Sequence, residues 1–191
     1  MDRIALPLVK GCKGKYRITY KGILYIGGTF VNEGGKLNPY VFEINVRMGD
    51  PEAQVLYPRL KTDMMQISLA IVEGSLGQLG EFDWNPNYHV GICATSGRSH
   101  GSKGWYSGYP RRYAIGKPIT GLNNISSDTL VFHSGTKWDL VRNQFITDGG
   151  RVLTVVANDL TLEGARTKAY REIEKISFEG IHYRTDIGKQ K

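Results

Sequence analysis

The sequence predicts an α+β chain in two parts, and three observations carry that reading. A β-rich apolar run at 22–30 (GILYIGGTF) stands before a turn and a second alternating run at 39–47 (PYVFEINVR). Two stretches, 61–73 and 161–176, repeat their apolar residues at helical spacing. Between them the turn-rich segment 75–87 makes the best internal boundary. At 191 residues the chain has room for one ordinary domain or two small ones.

In chain order, 22–30 reads as a buried strand, the turn at 32–35 (NEGG) reverses it, and 39–47 is its hairpin partner. Segment 48–58, with glycine, two prolines and mixed charge, predicts an irregular loop. A helix follows over 61–73, with Met64, Ile67 and Ile71 on one face and Gly74 as its stop. After the boundary, 88–94 is a short apolar strand that holds Cys93 as a core residue. A long Gly/Ser/basic loop then runs from 96 to 117, and strands are expected at 129–133, 144–147 and 151–156. Asp148, Gly149 and Gly150 predict a hairpin with positive φ between the last two strands. Thr161 caps a helix over 161–176 whose apolar stripe is Leu162, Ala165, Ala169, Ile173 and Ile176. The tail, 179–191, has no strong periodicity.

Composition removes several classes. Apolar residues are 40% and charged residues 23%, which is globular rather than disordered. No uncharged apolar run approaches a membrane span, and the first residues do not read as a signal peptide. Two cysteines, Cys12 and Cys93, make neither a disulfide framework nor a zinc knuckle, and point to a cytoplasmic setting. The net charge is +7, and the acid-free stretch 84–127 holds five basic residues: Arg98, Lys103, Arg111, Arg112 and Lys117. Such a balance suits an anionic partner, or an ordinary solvated surface.

The chemistry concentrates at 40–54. Strand alternation puts Phe42, Ile44 and Val46 on one face, where they build core. Glu43, Asn45 and Arg47 fall on the other. A plain solvent-exposed face would read the same way. A carboxylate and an amide oxygen are also what a hard divalent cation takes beside nucleotide phosphates, and an arginine one step along can hold a phosphoryl or carboxylate oxygen. The acids Asp50 and Glu52 follow in a rigid turn-forming loop. His89, His100, His133 and His182 share no ligand spacing, and His133, before Ser134, Gly135 and Thr136, reads as turn chemistry.

The run EINVRMGDPEAQ at 43–54 resembles the signature of the glycinamide ribonucleotide synthetase (phosphoribosylamine–glycine ligase) family of the ATP-grasp superfamily. YKGILYIG at 20–27 and PRLKTD at 58–63 are similar to its neighbouring blocks. So, in family order, are GYP at 108–110, GKPITG at 116–121, VFHSGTK at 131–137, TDGGRV at 147–152, FEG at 178–180 and YRTDIG at 183–188. The resemblance implies the C-terminal lobe of an ATP-grasp domain over 1–82, followed by a small sheet-rich C-terminal domain over 83–191. It implies a reaction in which ATP, glycine and 5-phosphoribosylamine give glycinamide ribonucleotide, ADP and phosphate, through glycyl phosphate, in purine biosynthesis. It further implies Glu43 and Asn45 as ligands of Mg²⁺ or Mn²⁺, Arg47 as the catalytic contact to phosphoryl or glycine carboxylate oxygens, and Asp50 and Glu52 as loop or substrate residues.

The family's chain is more than twice this length, so the resemblance also implies a C-terminal fragment or one subunit of a split enzyme. Such a chain is expected to be inactive without an N-terminal half, and apolar faces of the 22–47 hairpin are expected to be buried by another chain or by a homodimer contact. GRSHGSKGWYS at 97–107 looks like an insertion whose role the family does not explain. Two other readings remain beside this one. One is a different ATP-grasp ligase of the carboxylase type. The other is a basic nucleic-acid-binding module using 98–112 with Trp105, Tyr106, Tyr109 and Tyr113 as stacking groups, although ATP and a ribose phosphate are the anions expected rather than a nucleic acid.

Overall fold

The structure is a computed structural model that describes residues 3–101 and 104–189; Lys103 of the basic segment lies outside the described residues. Contacts divide the chain into two compact units, Met1–Asp50 with Leu60–Trp84, and Pro51–Arg59 with Asn85–Lys191. In chain order the elements are α1 (Ala5–Tyr16), β1 (Tyr25–Glu33), β2 (Lys36–Asn45), α2 (Glu52–Leu56), α3 (Met64–Glu73), β3 (Tyr88–Ser96), β4 (Ser99–Gly101), β5 (Gly104–Tyr106), β6 (Leu130–His133), β7 (Thr136–Asp139), β8 (Gln144–Thr147), β9 (Arg151–Asp159), α4 (Leu162–Ile173) and β10 (Ile181–His182).

In the first unit, α1 tolerates Pro7 because the first helical turn needs no donor there. It stops at Arg17, whose left-handed backbone (φ 56°) sends its N–H to the Cys12 carbonyl. The hairpin β1–β2 turns on Gly34 and Gly35, with φ of 62° and 84°, the geometry a two-residue reversal requires. Asn32 Oδ1 accepts the Gly35 N–H at 2.9 Å and fixes that turn. Helix α3 is capped by Asp63, which accepts the Met65 N–H at 2.6 Å, and it ends at Gly74 with φ 78°. Ile67 and Ala70 are its buried residues, with Met64 and Ile71 half-buried on the same side.

Three expectations for this unit need correction. The strand at 22–30, read as buried, is half-buried from Ile23 to Gly27 and exposed from Gly28 onward, Phe30 included. Phe42 and Val46, read as core, are 75% and 74% exposed, and Ile44 is exposed as well. Alternation marks a face that would be stabilised by cover, but among the described residues of this unit nothing supplies the cover. The strand also ends at Asn45, so Arg47 lies in the bend beyond it, not in line with Glu43 and Asn45.

The second unit is a four-stranded antiparallel sheet in the order β10-β3-β9-β6, with α4 packed on one face. Val90, Ile92 and Ala94 of β3 join Ala165, Ala169 and Ile173 of α4 in the core, which Ile119, Ile176 and Phe178 extend. Thr161 accepts the Gly164 N–H at 3.0 Å and caps α4, as its sequence predicts. On the opposite face of the sheet sits α2, where the sequence predicts irregular loop. Proline and glycine flanks hide so short a helix from a periodicity reading. Gly91 permits its approach: a β-carbon there would stand 2.7 Å from a Val55 methyl.

The predicted hairpin at 148–150 is absent. β8 pairs with β7, and β9 with β3 and β6, so Asp148, Gly149 and Gly150 connect two sheets. Neither glycine has a positive φ. Both are small because backbone and rings crowd them: a β-carbon on Gly149 would come 2.8 Å from the Gly135 α-carbon, and one on Gly150 would overlap the Tyr109 ring. The loop at 96–117 carries the β4–β5 hairpin, and the tail contributes β10. Cys93 is half-buried on the β3 face away from α4, not in the core. His133 keeps the turn role expected of it, with Nδ1 2.9 Å from the Thr136 hydroxyl.

Candidate functional site

Within the first unit the proposed metal row starts at a β-bulge. Gly27 pairs with Glu43 and Gly28 with Val41, so Phe42 is the extra residue that bends β2. A β-carbon on Gly28 would lie 2.5 Å from the Tyr40 carbonyl oxygen, and one on Gly27 would press the Glu43 side chain at 3.0 Å. The two glycines therefore set where β2 bends and leave Glu43 lying across β1. Glu43 is exposed and Asn45 half-buried, two residues apart on one strand. The donor set, one carboxylate and one amide oxygen, suits Mg²⁺ or Mn²⁺ when other oxygens complete the shell. Arg47 is exposed and donates from Nη1 to the Met48 carbonyl at 2.7 Å. Asp50 closes the first unit half-buried, while Glu52 opens α2 in the second.

Within the second unit a cavity of about 490 Å³ opens on the sheet face that α2 partly covers. Glu52, Cys93 and Thr95 line it, together with Tyr109, Arg151, His182, Tyr183 and Arg184. Strand register puts three of these in a row: His182 pairs with Thr95 and Thr95 with Arg151, across β10, β3 and β9. Directly opposed residues share a face, so an imidazole, a hydroxyl and a guanidinium line up at one end of the sheet.

Buried Ser96 ties the surrounding loops together. Its N–H donates to the Gly150 carbonyl at 2.8 Å, its hydroxyl donates to the Gly149 carbonyl at 2.8 Å, and its own carbonyl accepts the Tyr109 N–H at 2.8 Å. The tail is held from α4. Arg166 donates to the Ile187 carbonyl at 3.1 Å, and the Tyr170 hydroxyl donates to the Arg184 carbonyl at 2.8 Å. Arg184 forms a two-pronged pair with Asp186, at 2.9 and 2.7 Å, which holds that carboxyl below its usual range.

Sequence reasoning gave Tyr109 a role only as a stacking group in the nucleic-acid alternative, and assigned no functional role to Arg151, His182, Tyr183 or Arg184. Its signal was the quoted blocks themselves: GYP supplies Tyr109 and Pro110, TDGGRV supplies Arg151, YRTDIG supplies Tyr183, Arg184 and Ile187, and all of these line one cavity.

Residues 106–190 match the family model described as phosphoribosylglycinamide synthetase, C domain. A phosphoribosylamine–glycine ligase of Archaeoglobus fulgidus is 40% identical over 188 residues, 98% of this chain and 38% of the relative. That of Caldanaerobacter subterraneus subsp. tengcongensis is 41% identical over 186 residues, 97% of this chain and 40% of the relative. The crystal structure of phosphoribosylamine–glycine ligase from Thermotoga maritima superposes with a TM-score of 0.59 at 30% identity, covering 85% of this chain and 36% of that one. This chain matches the C-terminal portion of phosphoribosylamine–glycine ligase. It spans about two fifths of the length of the curated ligases it matches. The mixed helix-and-sheet fold is thus shared with a solved ligase of that name. Among the described residues no helix is long and apolar enough to cross a membrane.

Proposed function

We propose that this chain serves as the C-terminal part of an ATP-dependent ligase that joins glycine to 5-phosphoribosylamine in purine biosynthesis, in a cytoplasmic setting. The observation that carries the reading is coverage: ligases of that name match 98% and 97% of the chain, yet it spans only 38% and 40% of them. In this reading residues 1–82 form the C-terminal lobe of an ATP-grasp domain and 83–191 the small domain after it. The partner is the N-terminal half of the enzyme.

Glu43 and Asn45 would hold Mg²⁺ or Mn²⁺. Bound there, the ion would supply positive charge that neutralises the nucleotide phosphates. The chain's own groups do the positioning. Arg47 meets an oxygen of the glycine carboxylate or of the transferred phosphoryl group. Asp50 and Glu52 shape the loop beside it or touch substrate. The glycine carboxylate takes the γ-phosphoryl group and releases ADP, and the phosphoribosylamine nitrogen then displaces phosphate from glycyl phosphate. Orientation and charge neutralisation supply most of the rate in such a transfer.

The test is a chimaera in which this chain replaces the matching C-terminal portion of the Archaeoglobus fulgidus relative. The chimaera is expected to turn over ATP, glycine and phosphoribosylamine, and the chain alone to turn over none. A folded, inactive chimaera removes the ligase reading. Turnover by the isolated chain removes its incompleteness.

A further inference from the structure

We propose that the arginine and aromatic face of the β4–β5 hairpin binds single-stranded nucleic acid, with Trp105 as the base-stacking platform and Arg98 and Arg112 on the phosphates. Trp105 is 68% exposed, yet its ring is held in place. Strand register pairs it with His100, whose imidazole meets it edge-on at 5.6 Å, and the Arg98 guanidinium lies over it at 5.3 Å. The Arg112 guanidinium lies over the ring of the next residue, Tyr106, at 4.5 Å. Stacking fixes where each guanidinium sits and uses none of its N–H donors, which stay available to phosphate oxygens.

The charge on this face is uncompensated. Residues 84–127 contain no acid. Arg98, Arg111 and Arg112 are exposed, and among the described residues no carboxylate pairs with them. The acid that does reach the hairpin, Glu179, is occupied. It accepts the His100 N–H at 3.2 Å and the Lys117 ammonium at 2.5 Å, and Lys117 also donates to the His100 carbonyl at 2.7 Å. Close packing fixes the root of the hairpin. A β-carbon on Gly97 would stand 2.7 Å from the His182 β-carbon, and one on Gly180 would stand 2.8 Å from the Ser99 β-carbon. The Gly97 N–H donates to the Gly180 carbonyl at 2.7 Å. Rings and cations are thus in position before a ligand arrives, which spares part of the ordering cost of binding.

A single strand matches both halves of this face, because each base offers a flat π surface and each link carries one negative charge. A bare polyanion would use the arginines and leave Trp105 idle. A duplex keeps its base faces stacked inside and would leave the ring idle as well. The inference stands on the second unit alone and is independent of the ligase reading.

The experiment is fluorescence anisotropy of labelled single strands of about 12 nucleotides, a length within the span such sites cover. Oligothymidylate forms one arm and oligouridylate the other, each titrated with the full 191-residue chain at low salt. Saturable binding is expected in at least one arm, and the tighter arm names DNA or RNA as the source. Trp105→Ala should weaken it about 5- to 100-fold, and Trp105→Phe, which keeps a ring, by much less. Arg98→Gln and Arg112→Gln should each reduce the slope of log K against log salt by about 0.7, one phosphate contact on a single strand. Polyphosphate and polyglutamate should each compete about tenfold more weakly than an unlabelled strand, since neither stacks.

No saturable binding at low salt overturns the inference. Polyphosphate competing as well as the strand reduces this face to a charge patch, and polyglutamate doing so makes it a surface for an acidic protein; either result overturns it. Unchanged binding by a folded Trp105→Ala, or an unchanged salt slope in both arginine variants, overturns it too. If Trp105→Ala unfolds, the competition on the unaltered chain decides alone. Turnover of the chimaera is read separately, so failure of this inference leaves the ligase reading standing, and the reverse holds.

Discussion

The Tyr109 ring lies against the α-carbon of Gly150, so closely that a β-carbon at 150 would overlap it and stand 2.9 Å from Tyr113. Gly150→Ala and Gly150→Asn are therefore both expected to destabilise the chain, by about 1–3 kcal/mol, as overpacking does. Asparagine is the informative choice. It tolerates a left-handed backbone, so a glycine kept for positive φ would accept it, whereas a glycine kept for closeness would not. Urea unfolding midpoints of the two variants decide: near-wild-type stability of Gly150→Asn would return this turn to the conformational explanation.

Glu172 gives a pH prediction. Its side chain is fully buried, and burial alone raises its pKa. Lys175, the Ser126 N–H and hydroxyl, and Arg171 all donate to its oxygens, and together they outweigh burial and hold the group at about 2. Because the folded value lies below the ordinary 4.5, the folded state binds fewer protons than the unfolded state between those values. The stabilisation is complete above about pH 4.5 and is lost as pH falls toward 2. Glu172→Gln should cost about 2 kcal/mol near neutrality, in the range for hydrogen bonds to a charged group. It should also flatten, without abolishing, the fall of stability between pH 5 and pH 3, since Asp128, Asp139 and Glu179 are lowered as well. An unchanged slope in denaturant titrations across that range would remove Glu172 from this role.

Phe42 separates folding from assembly. Its side chain is exposed at the bulge of β2. Phe42→Ser should change the stability of the isolated chain by no more than about 0.5 kcal/mol. If the hairpin is covered by the N-terminal portion of the chimaera, the same substitution should lower the chimaera's melting temperature. A chimaera that melts unchanged would show this face uncovered there too.

The proposed metal ligands are tested one at a time. Glu43→Gln and Asn45→Ala should each lower chimaera turnover on the order of 100-fold at fixed Mg²⁺, the scale of losing one charge-stabilising contact. Raising Mg²⁺ should recover part of the loss. Full turnover with an unaltered Mg²⁺ dependence would exclude the substituted residue as a ligand.

Where a single local signal was enough, the fold was legible. The Ala165, Ala169 and Ile173 stripe with its Thr161 cap marked α4, the Gly34–Gly35 reversal marked the first hairpin, and the short apolar run at 88–94 marked β3. Short elements without a period escaped. Helix α2 has five residues behind a proline, and β10 has two. Gly149 and Gly150 misled because glycine answers two needs, positive φ and close approach, which look alike in a sequence. Local pattern also could not say what lies opposite a strand face, and so Phe42 and Val46 were read as core. The cavity was illegible for a different reason. Glu52, Thr95, Tyr109, Arg151 and Arg184 come from five segments, and only pairing of β10, β3 and β9 with the Ser96 bonds assembles them.

The backbone enters the second unit twice, first for nine residues at Pro51–Arg59 and again from Asn85. Neither unit is thus a single uninterrupted stretch of gene. A recombination event that transferred codons 85–191 alone would deliver a sheet stripped of α2, with the Gly91 hollow open to water. One that began at 106, where the family model starts, would also leave behind β3, the neighbour of both β9 and β10. Exchange between relatives can therefore preserve this unit only if the short upstream segment travels with it, which ties the inheritance of 51–59 to that of everything from Asn85 onward.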